Sequence, residues 1–281
     1  MSYATHGIEG SDGGFGAILF AFYAALVAAF QAAFTLPLAI AGTVVFATVQ
    51  YLLGKYLAIR SVGATDLPED EYPHVHRMVE DLSTDMGIDK PALKVGRMGV
   101  PNAFAVGRRG AGVVVVSDTL LELLDDDELE AVLAHELAHI NNRDVLMMVL
   151  GQSIASMIGI TVFWVFALAD DNIAVAIVGW ILSAIIQALV MIFVLAISRY
   201  REYVADSDAA DQTDNPEALA TALAKIDRVG RHEDAPDVGD RVGALCIFGG
   251  KRGLLAALFA SHPPMEKRIE RLAPHLLEQG D

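Results

Sequence analysis

Four long apolar runs limit what this chain can fold into. The stretch 15–59 carries a single charge, Lys55, and could hold two spans of about 20 residues each, with a break around Gln31 to Pro37. Two more runs, Val145 to Ala169 and Ile173 to Ile197, are separated by only three polar residues. Runs of about 18 apolar residues or more are typical of transmembrane helices. We therefore expect four transmembrane helices, in preference to the buried core helices of a large soluble protein.

The positive charges beside these runs predict an orientation. Five cations flank the runs on one side of the expected bundle: Lys55, Arg60, Arg143, Arg199 and Arg201. The turn at Asp170, between the last two runs, has none. Because Lys and Arg accumulate on the cytoplasmic side, we expect a multi-pass protein of the plasma membrane, with both termini and the segment 60–144 in the cytoplasm. The single cysteine, Cys246, allows no internal disulfide and fits a reducing compartment.

A metal-binding pattern lies in the segment before the third run. His135, Glu136 and His139 spell H-E-x-x-H, and positions i and i+4 share a helix face, so both imidazoles can reach one ion. Glu136, rotated by about 100°, would lie beside that ion. A catalytic zinc site usually takes three protein ligands, and Glu202 is the best candidate for the third. Asp206, one helical turn further on, could accept the spare N–H of a ligating histidine.

The residues around the two histidines indicate a helix that lies in water. Asp125 and Glu128 resemble a capping box, and the acids from 125 to 128 suit the positive end of a helix dipole. Apolar residues then recur at helical spacing, at positions 129, 132, 133, 137 and 140. Because this first turn is too acidic for hydrocarbon, the site should lie outside the bilayer but near it.

The last two apolar runs explain why the two halves of the pattern are far apart in the chain. His139 precedes the third run by about six residues, and Glu202 follows the fourth by about five. A span, a tight turn and a return span would bring both to a similar height above one membrane face. We therefore expect this hairpin to close the site.

The remaining sequence is predicted to form one split soluble domain. The expected organisation is a tail, 1–14; a first transmembrane hairpin, 15–59; an N-terminal half, 60–144; a second hairpin, 145–198; and a C-terminal half, 199–281. Periodicity predicts helices at Pro73 to Gly87, Pro216 to Val229, Leu254 to Ala260 and Met265 to Leu272, with a polar loop from Arg231 to Asp240. Strands are predicted at Ala92 to Gly96, Ala103 to Val106 and Val113 to Val116. The fold class is therefore α+β and mainly helical, with a small β-sheet.

One edge of this sheet could bind substrate. The strands 103–106 and 113–116 are joined through Gly107 to Gly110, which predicts a hairpin. An unpaired strand edge offers backbone hydrogen bonds to an extended peptide of any sequence. Asn102, Ala103 and Phe104 are the candidate substrate-binding residues, while Val113 to Val116 could equally be an ordinary buried strand.

Four motifs in this chain together resemble the HtpX membrane metalloproteases, a family of gluzincin-type zinc endopeptidases. They are H-E-L-A-H-I-N-N-R-D from His135, S-R-x-R-E-Y-x-A-D from Ser198, P-N-A-F-A from Pro101 and S-H-P-P-x-x-x-R-I from Ser261. The motifs occur in the family's order, so the resemblance covers nearly the whole chain. It implies a zincin-like protease domain that binds one Zn²⁺ through His135, His139 and Glu202, with Glu136 as the general base.

The resemblance also implies roles for polar residues around the ligands. Asn142, Asp144 and Asp206 would support the ligands or the local structure. His262 and Arg268 match polar residues that the family places near its site. For His262 two roles stay open, because it would either assist the transition state or cap a helix.

The expected reaction is metal-assisted peptide hydrolysis by a zinc metalloendopeptidase. Glu136 would take a proton from the attacking water and later deliver it to the leaving amine, and His262 would stabilise the developing oxyanion. The expected substrates are misfolded or damaged membrane and cytoplasmic proteins. One alternative is a dedicated processing protease related to the CAAX prenyl endoproteases, which typically have more spans. Another is a catalytically idle adaptor, which would be expected to lack Glu136 or a ligand.

The net charge limits the partners. The chain has 36 acidic residues against 20 Lys and Arg, a net charge of −16, which argues against a nucleic-acid partner because such partners require a basic patch. The expected partners are protein or peptide substrates and the lipid bilayer. The acidic surface is either an ordinary soluble surface or an adaptation to high salt, in which screening weakens the repulsion between carboxylates.

Overall fold

The computed structural model describes residues 36–170, 172–230 and 262–278. These residues form a mainly helical α+β structure with one small mixed sheet. The chain divides into two compact units, residues 1–50 and 51–281, and helix α1 (Leu36–Ser61) runs across that boundary. Several predictions lie outside the described residues: the tail 1–14, the part of the first hairpin before residue 36, the loop 231–240, Cys246 and the helix 254–260.

The sheet belongs to the second unit and contains the three predicted strands and one short addition. Its strands are β1 (Thr65–Asp66), β2 (Ala92–Gly96), β3 (Ala103–Val106) and β4 (Val113–Ser117), in the order β1-β2-β4-β3. β2 pairs with β4 in parallel, and β3 pairs with β4 in antiparallel register, Ala103 opposite Val116. The predicted hairpin is therefore confirmed, and its turn uses positive φ at Gly107 and Gly110. β4 is the fully buried central strand, whereas β3 is an edge strand in the described part of the sheet.

The helices of the soluble part surround one apolar core beside this sheet. They are α2 (Pro73–Asp85), α3 (Asp118–Leu123), α4 (Asp126–Asn141), α7 (Pro216–Gly230), α8 (Met265–Leu272) and α9 (His275–Glu278). α4 lies in the middle of the core, where Leu133 and Leu137 are fully buried. Its predicted capping box is present, since Glu128 N donates to Asp125 Oδ1 and Asp125 N donates to Glu128 Oε2, both at 3.1 Å. The cap fixes where the motif-bearing helix begins.

Two further helices are long and apolar enough, by length and composition, to cross a membrane. They are α5 (Asp144–Ala167) and α6 (Ile173–Thr213). Only 17% and 6% of their most apolar stretches are buried, so they lack the surrounding protein that a soluble core helix would have. The two helices pack closely at Gly179, where an added Cβ would lie 2.4 Å from the Cβ of Phe166. The two predicted apolar runs are thus packed helices, while the transmembrane hairpin 145–198 and the count of four spans stay predictions.

The junctions of this hairpin place it against the core. Arg143, at the start of α5, has a left-handed backbone with φ of 59°, which turns the chain from α4 directly into α5. At the other end, α6 does not stop where its apolar run ends near Ile197 but continues to Thr213. The same helix therefore carries Glu202 and Asp206 into the core.

Candidate metal centre

The two motif histidines project from one face of α4 toward each other. Their Nε2 atoms lie 3.1 Å apart, and their rings meet edge to face at 4.7 Å between centroids. His135 is buried, and the side chain of His139 is 16% exposed. This is the arrangement that the i, i+4 spacing predicts.

Helix α6 brings Glu202 to the same point. Its Oε1 lies 3.6 Å from His139 Nε2, and its Oε2 lies 3.8 Å from His135 Nε2. The ligand atoms of the three residues all lie within 4.8 Å of one another. Two ligands bound tetrahedrally to zinc at 2.0–2.1 Å are about 3.3 Å apart, so the observed separations fit a zinc-sized ion held by two imidazoles and a carboxylate.

The other ring nitrogen of His135 faces a buried ion pair. His135 Nδ1 lies 3.0 Å from Asp206 Oδ1. Arg268 donates to the same carboxylate through Nε at 2.9 Å and through a terminal nitrogen at 2.5 Å, and its other terminal nitrogen lies 3.4 Å from Glu202 Oε2. The Arg268 side chain is only 1% exposed. We refer to His135, Asp206 and Arg268 as the inner triad.

His139 has a parallel arrangement on the side of the helical hairpin. Its Nδ1 lies 2.7 Å from Asp144 Oδ2, and Arg201 forms an ion pair with Asp144. Arg201 also donates to the carbonyl oxygen of Asn142 at 2.7 Å. We refer to His139, Asp144 and Arg201 as the outer triad. A carboxylate on Nδ1 keeps the proton there, which leaves the Nε2 lone pair of each histidine directed at the shared point.

The charges of the centre keep its carboxylates ionised. Burial alone would raise the pKa of Glu202, but neighbouring His262 and His139 hold that pKa well below its ordinary value. Burial would also raise the pKa of Asp206, but Arg268 and His135 lower it to about 2. The guanidinium of Arg268 has a raised pKa because, against the effect of burial, Asp206 and Glu202 stabilise its charged form. At neutral pH both carboxylates are therefore anionic, as metal binding and its support require.

Glu136 and His262 are the two remaining candidates of the site. Glu136 follows His135 on α4, is 4% exposed, and its negative charge is among those that raise the pKa of Arg268. His262 Nδ1 lies 3.1 Å from Glu202 Oε2, and its side chain is 30% exposed. The N-cap residue of α8 is Pro264, with no side-chain capping hydrogen bond in the described structure. In the described structure His262 thus contacts the predicted third ligand, and both of its expected roles stay predictions.

Two of the predicted substrate residues, Ala103 and Phe104, lie on β3, which packs against α4, and Asn102 directly precedes that strand. Their side chains are turned into the protein, since Asn102, Ala103 and Phe104 are 0%, 1% and 6% exposed. Ser117 occupies both backbone groups of Asn102, because Ser117 N donates to Asn102 O at 2.8 Å and Asn102 N donates to Ser117 Oγ at 2.9 Å. What this segment can offer a peptide is therefore the backbone of β3 itself.

Three polar residues of the centre escaped the sequence analysis. Arg201 was part of the S-R-x-R-E-Y-x-A-D motif, but its own expected role was only that of a cation flanking a span. Asp208 accepts a hydrogen bond from Asn142 at 2.7 Å, and Arg109 of the β3–β4 turn donates to the carbonyl oxygen of Asn141 at 2.9 Å. The one available signal was position, since Arg201 directly precedes Glu202 and Asp208 follows Asp206 by two.

Known proteins resemble this chain over most of its length. Residues 69–275 match peptidase family M48. A protein named protease HtpX homolog from Halobacterium salinarum is 48% identical, over 92% of this chain and 98% of that protein, and one from Pyrococcus abyssi is 39% identical over 83% of each. The crystal structure of S. mikatae Ste24p has a TM-score of 0.61 at 19% identity and shares the fold over 92% of this chain and 62% of that longer chain. The chain therefore belongs to peptidase family M48 and is an HtpX-type membrane protease.

Proposed function

We propose that this protease is a zinc-dependent endopeptidase that cuts misfolded or damaged membrane and cytoplasmic proteins. The observation that carries the proposal is the convergence of two imidazoles and one carboxylate within 4.8 Å. Both imidazoles have a carboxylate at Nδ1, which favours the tautomer whose Nε2 can bind zinc, and the pKa of the third ligand, Glu202, lies well below its ordinary value. Zinc bound there would polarise the scissile carbonyl and acidify the attacking water.

The protein's own residues supply the proton transfers. Glu136 is not one of the three converging ligands, and it directly follows His135 on α4, so it would take a proton from the water and later give it to the leaving amine. His262 is partly exposed and would donate to the developing oxyanion, with Glu202 at its other side. Asn142 and Arg268 would hold the surrounding helices and carboxylates in place.

The substrate is proposed to bind along β3 as an additional strand. Backbone hydrogen bonds at such an edge do not depend on side-chain sequence, which suits an enzyme that must accept many damaged proteins. The alternative of a dedicated processing protease is not favoured, because the likeness to Ste24p is distant and concerns the fold alone.

The proposed topology has four spans, with the protease halves 60–144 and 199–281 and both termini in the cytoplasm. It is supported by the hairpin of α5 and α6, by the cations at its mouth, and by Asp170 at its turn, beside which the described residues hold no cation. The protein would then act on the cytoplasmic face of the plasma membrane.

Glu136→Gln tests the proposal most directly. This variant should keep its zinc, because Glu136 is not a ligand, while peptide or casein turnover falls by about 10²- to 10⁴-fold. Zinc stoichiometry and cleavage rate would be measured on the same detergent-extracted sample. Glu130→Gln is the matched control, since Glu130 lies on the same helix without being one of the converging ligands; it should cleave like the wild type. Normal turnover in Glu136→Gln would remove Glu136 from the mechanism.

A further inference from the structure

Arg201 touches neither the proposed metal nor any of its three ligands in the contacts of the described residues, yet it meets two groups that lie next to His139. It forms an ion pair with Asp144 and donates to Asn142 O at 2.7 Å. The opposite oxygen of Asp144 is the one that lies 2.7 Å from His139 Nδ1. Arg201, Asp144 and His139 thus form an unbroken series of contacts.

We propose that Arg201 is a positioning residue that holds His139 in its metal-binding orientation through Asp144. The proposal rests on the proposed zinc site, because it explains how one ligand of that site is oriented. By this proposal α6 carries the third ligand, Glu202, and also the residue that orients the ligand His139.

The helical geometry of α6 lets it carry both residues. Arg201 and Glu202 are consecutive, so their side chains leave the helix about 100° apart. Glu202 points at the histidines, while Arg201 reaches the junction where α4 passes into α5. Asp206, one turn beyond Glu202, faces His135. One helix therefore supplies one ligand and contacts the support of both others.

The chemistry of arginine suits this position better than a bare positive charge. A planar guanidinium can bond a carboxylate and a carbonyl at once from fixed directions, whereas an ammonium acts as a point charge. A residue required only to keep positive charge on the cytoplasmic side would be replaceable by lysine without cost. The Arg201 side chain is 22% exposed and that of Asp144 10%, so the pair is shielded enough for its geometry to matter.

The test compares Arg201→Met, Arg201→Lys, Asp144→Asn and the double variant Asp144→Asn/Arg201→Met. Zinc affinity would be measured by chelator competition, and kcat and KM by peptide cleavage. We expect Arg201→Met to weaken zinc binding by about 10- to 100-fold and to lower kcat more than it changes KM. Arg201→Lys should recover part of the loss. The double variant should bind zinc no worse than Asp144→Asn, because Arg201 acts through that carboxylate.

Arg77→Met is the matched control, because Arg77 is exposed and donates only to the Pro73 carbonyl of its own helix in the contacts described; it should behave as the wild type. Wild-type zinc affinity in Arg201→Met, or losses that add in the double variant, would overturn the proposal. If Arg201→Met folds poorly, the lysine variant and the double-variant comparison still decide it. A wild-type protein that binds no zinc would refute the proposed function by itself, while the order of kcat values would still report on Arg201.

Discussion

The inner and outer triads use the same three residue types in different surroundings. In the inner triad the arginine side chain is 1% exposed and bonds the aspartate through two nitrogens, while in the outer triad the arginine is 22% exposed and divides its bonds between Asp144 and a backbone carbonyl. The inner triad joins α4 and α8 to the C-terminal end of α6, where that helix enters the core. The outer triad joins α4 to the mouth of the helical hairpin. The same three residue types are therefore used once inside the core and once where the core meets the helices α5 and α6.

The largest loss of zinc binding and cleavage should come from Glu202, the ligand that lies beside the histidines of both triads. Glu202→Gln replaces an anionic ligand with a neutral, poorer donor, so zinc binding and cleavage should both fall by orders of magnitude. Asp206→Asn changes only the support of one histidine and should cost about 10- to 100-fold in zinc affinity. Metal content and cleavage of the two variants, measured side by side, should therefore separate. Full zinc occupancy with unimpaired cleavage in Glu202→Gln would show that the third ligand lies elsewhere, and the role of the hairpin in delivering it would be wrong.

Acid should reveal how strongly the inner triad stabilises the fold. The pKa of Asp206 is about 2 in the folded protein, against 3.8 for the free carboxyl. A lowered folded pKa contributes stability that is fully present above about pH 4 and is lost as the pH falls toward 2, in all about 2 kcal/mol. The unfolding free energy of metal-free protein should therefore fall over this range more steeply in the wild type than in Asp206→Asn. Parallel pH profiles for the two proteins would contradict the assignment.

Salt should produce the smallest difference in stability. It should weaken the partly exposed outer triad but leave the buried inner triad unchanged. With a net charge of −16, the extracted protein should be more stable and more active in molar KCl than in dilute buffer, because screening weakens the repulsion between carboxylates. Screening should also reduce the contribution of the partly exposed Arg201 pair, which is about 1 kcal/mol or less, but not that of buried Arg268. Thermal melts of the wild type, Arg201→Met and Arg268→Met at both salt concentrations measure this. Equal or better behaviour of the wild type in dilute buffer would leave an ordinary soluble surface as the explanation.

Local features were predictable from the sequence because periodicity and spacing express them directly. The bounds of β2 and α8 and the capping box at Asp125 were all confirmed. The two-residue strand β1 and the six-residue helix α3 were missed because so few residues carry no periodic signal. Which strand forms the edge of the sheet depends on the parallel pairing of β2 with β4, and no local pattern encodes that pairing.

In the metal centre too, contacts within one helix could be predicted from the sequence, whereas contacts between helices could not. The i, i+4 spacing was sufficient to predict that His135 and His139 face one point. The contact between His139 and Asp144 also needs the left-handed turn at Arg143, a conformation uncommon for a residue other than glycine. The contact of Arg201 with Asp144 needs the packing of α5 on α6 as well. From the sequence, Arg201 therefore indicated only the orientation of the fourth run, whereas in the structure it also forms an ion pair with Asp144.

Because α6 is one continuous helix, a small change in its tilt moves Glu202 by a large distance. Glu202 lies 29 residues along it from Ile173, which at 1.5 Å per residue is about 44 Å. A tilt of one degree about the far end of the helix would therefore displace Glu202 by about 0.8 Å, more than the roughly 0.5 Å within which catalytic groups must be held. Bilayers of different thickness change the tilt of the helices that cross them. If α6 crosses the bilayer as proposed, the contacts of Arg201 with Asp144 and with the carbonyl oxygen of Asn142 would therefore keep Glu202 in register with the two histidines when the helix tilts.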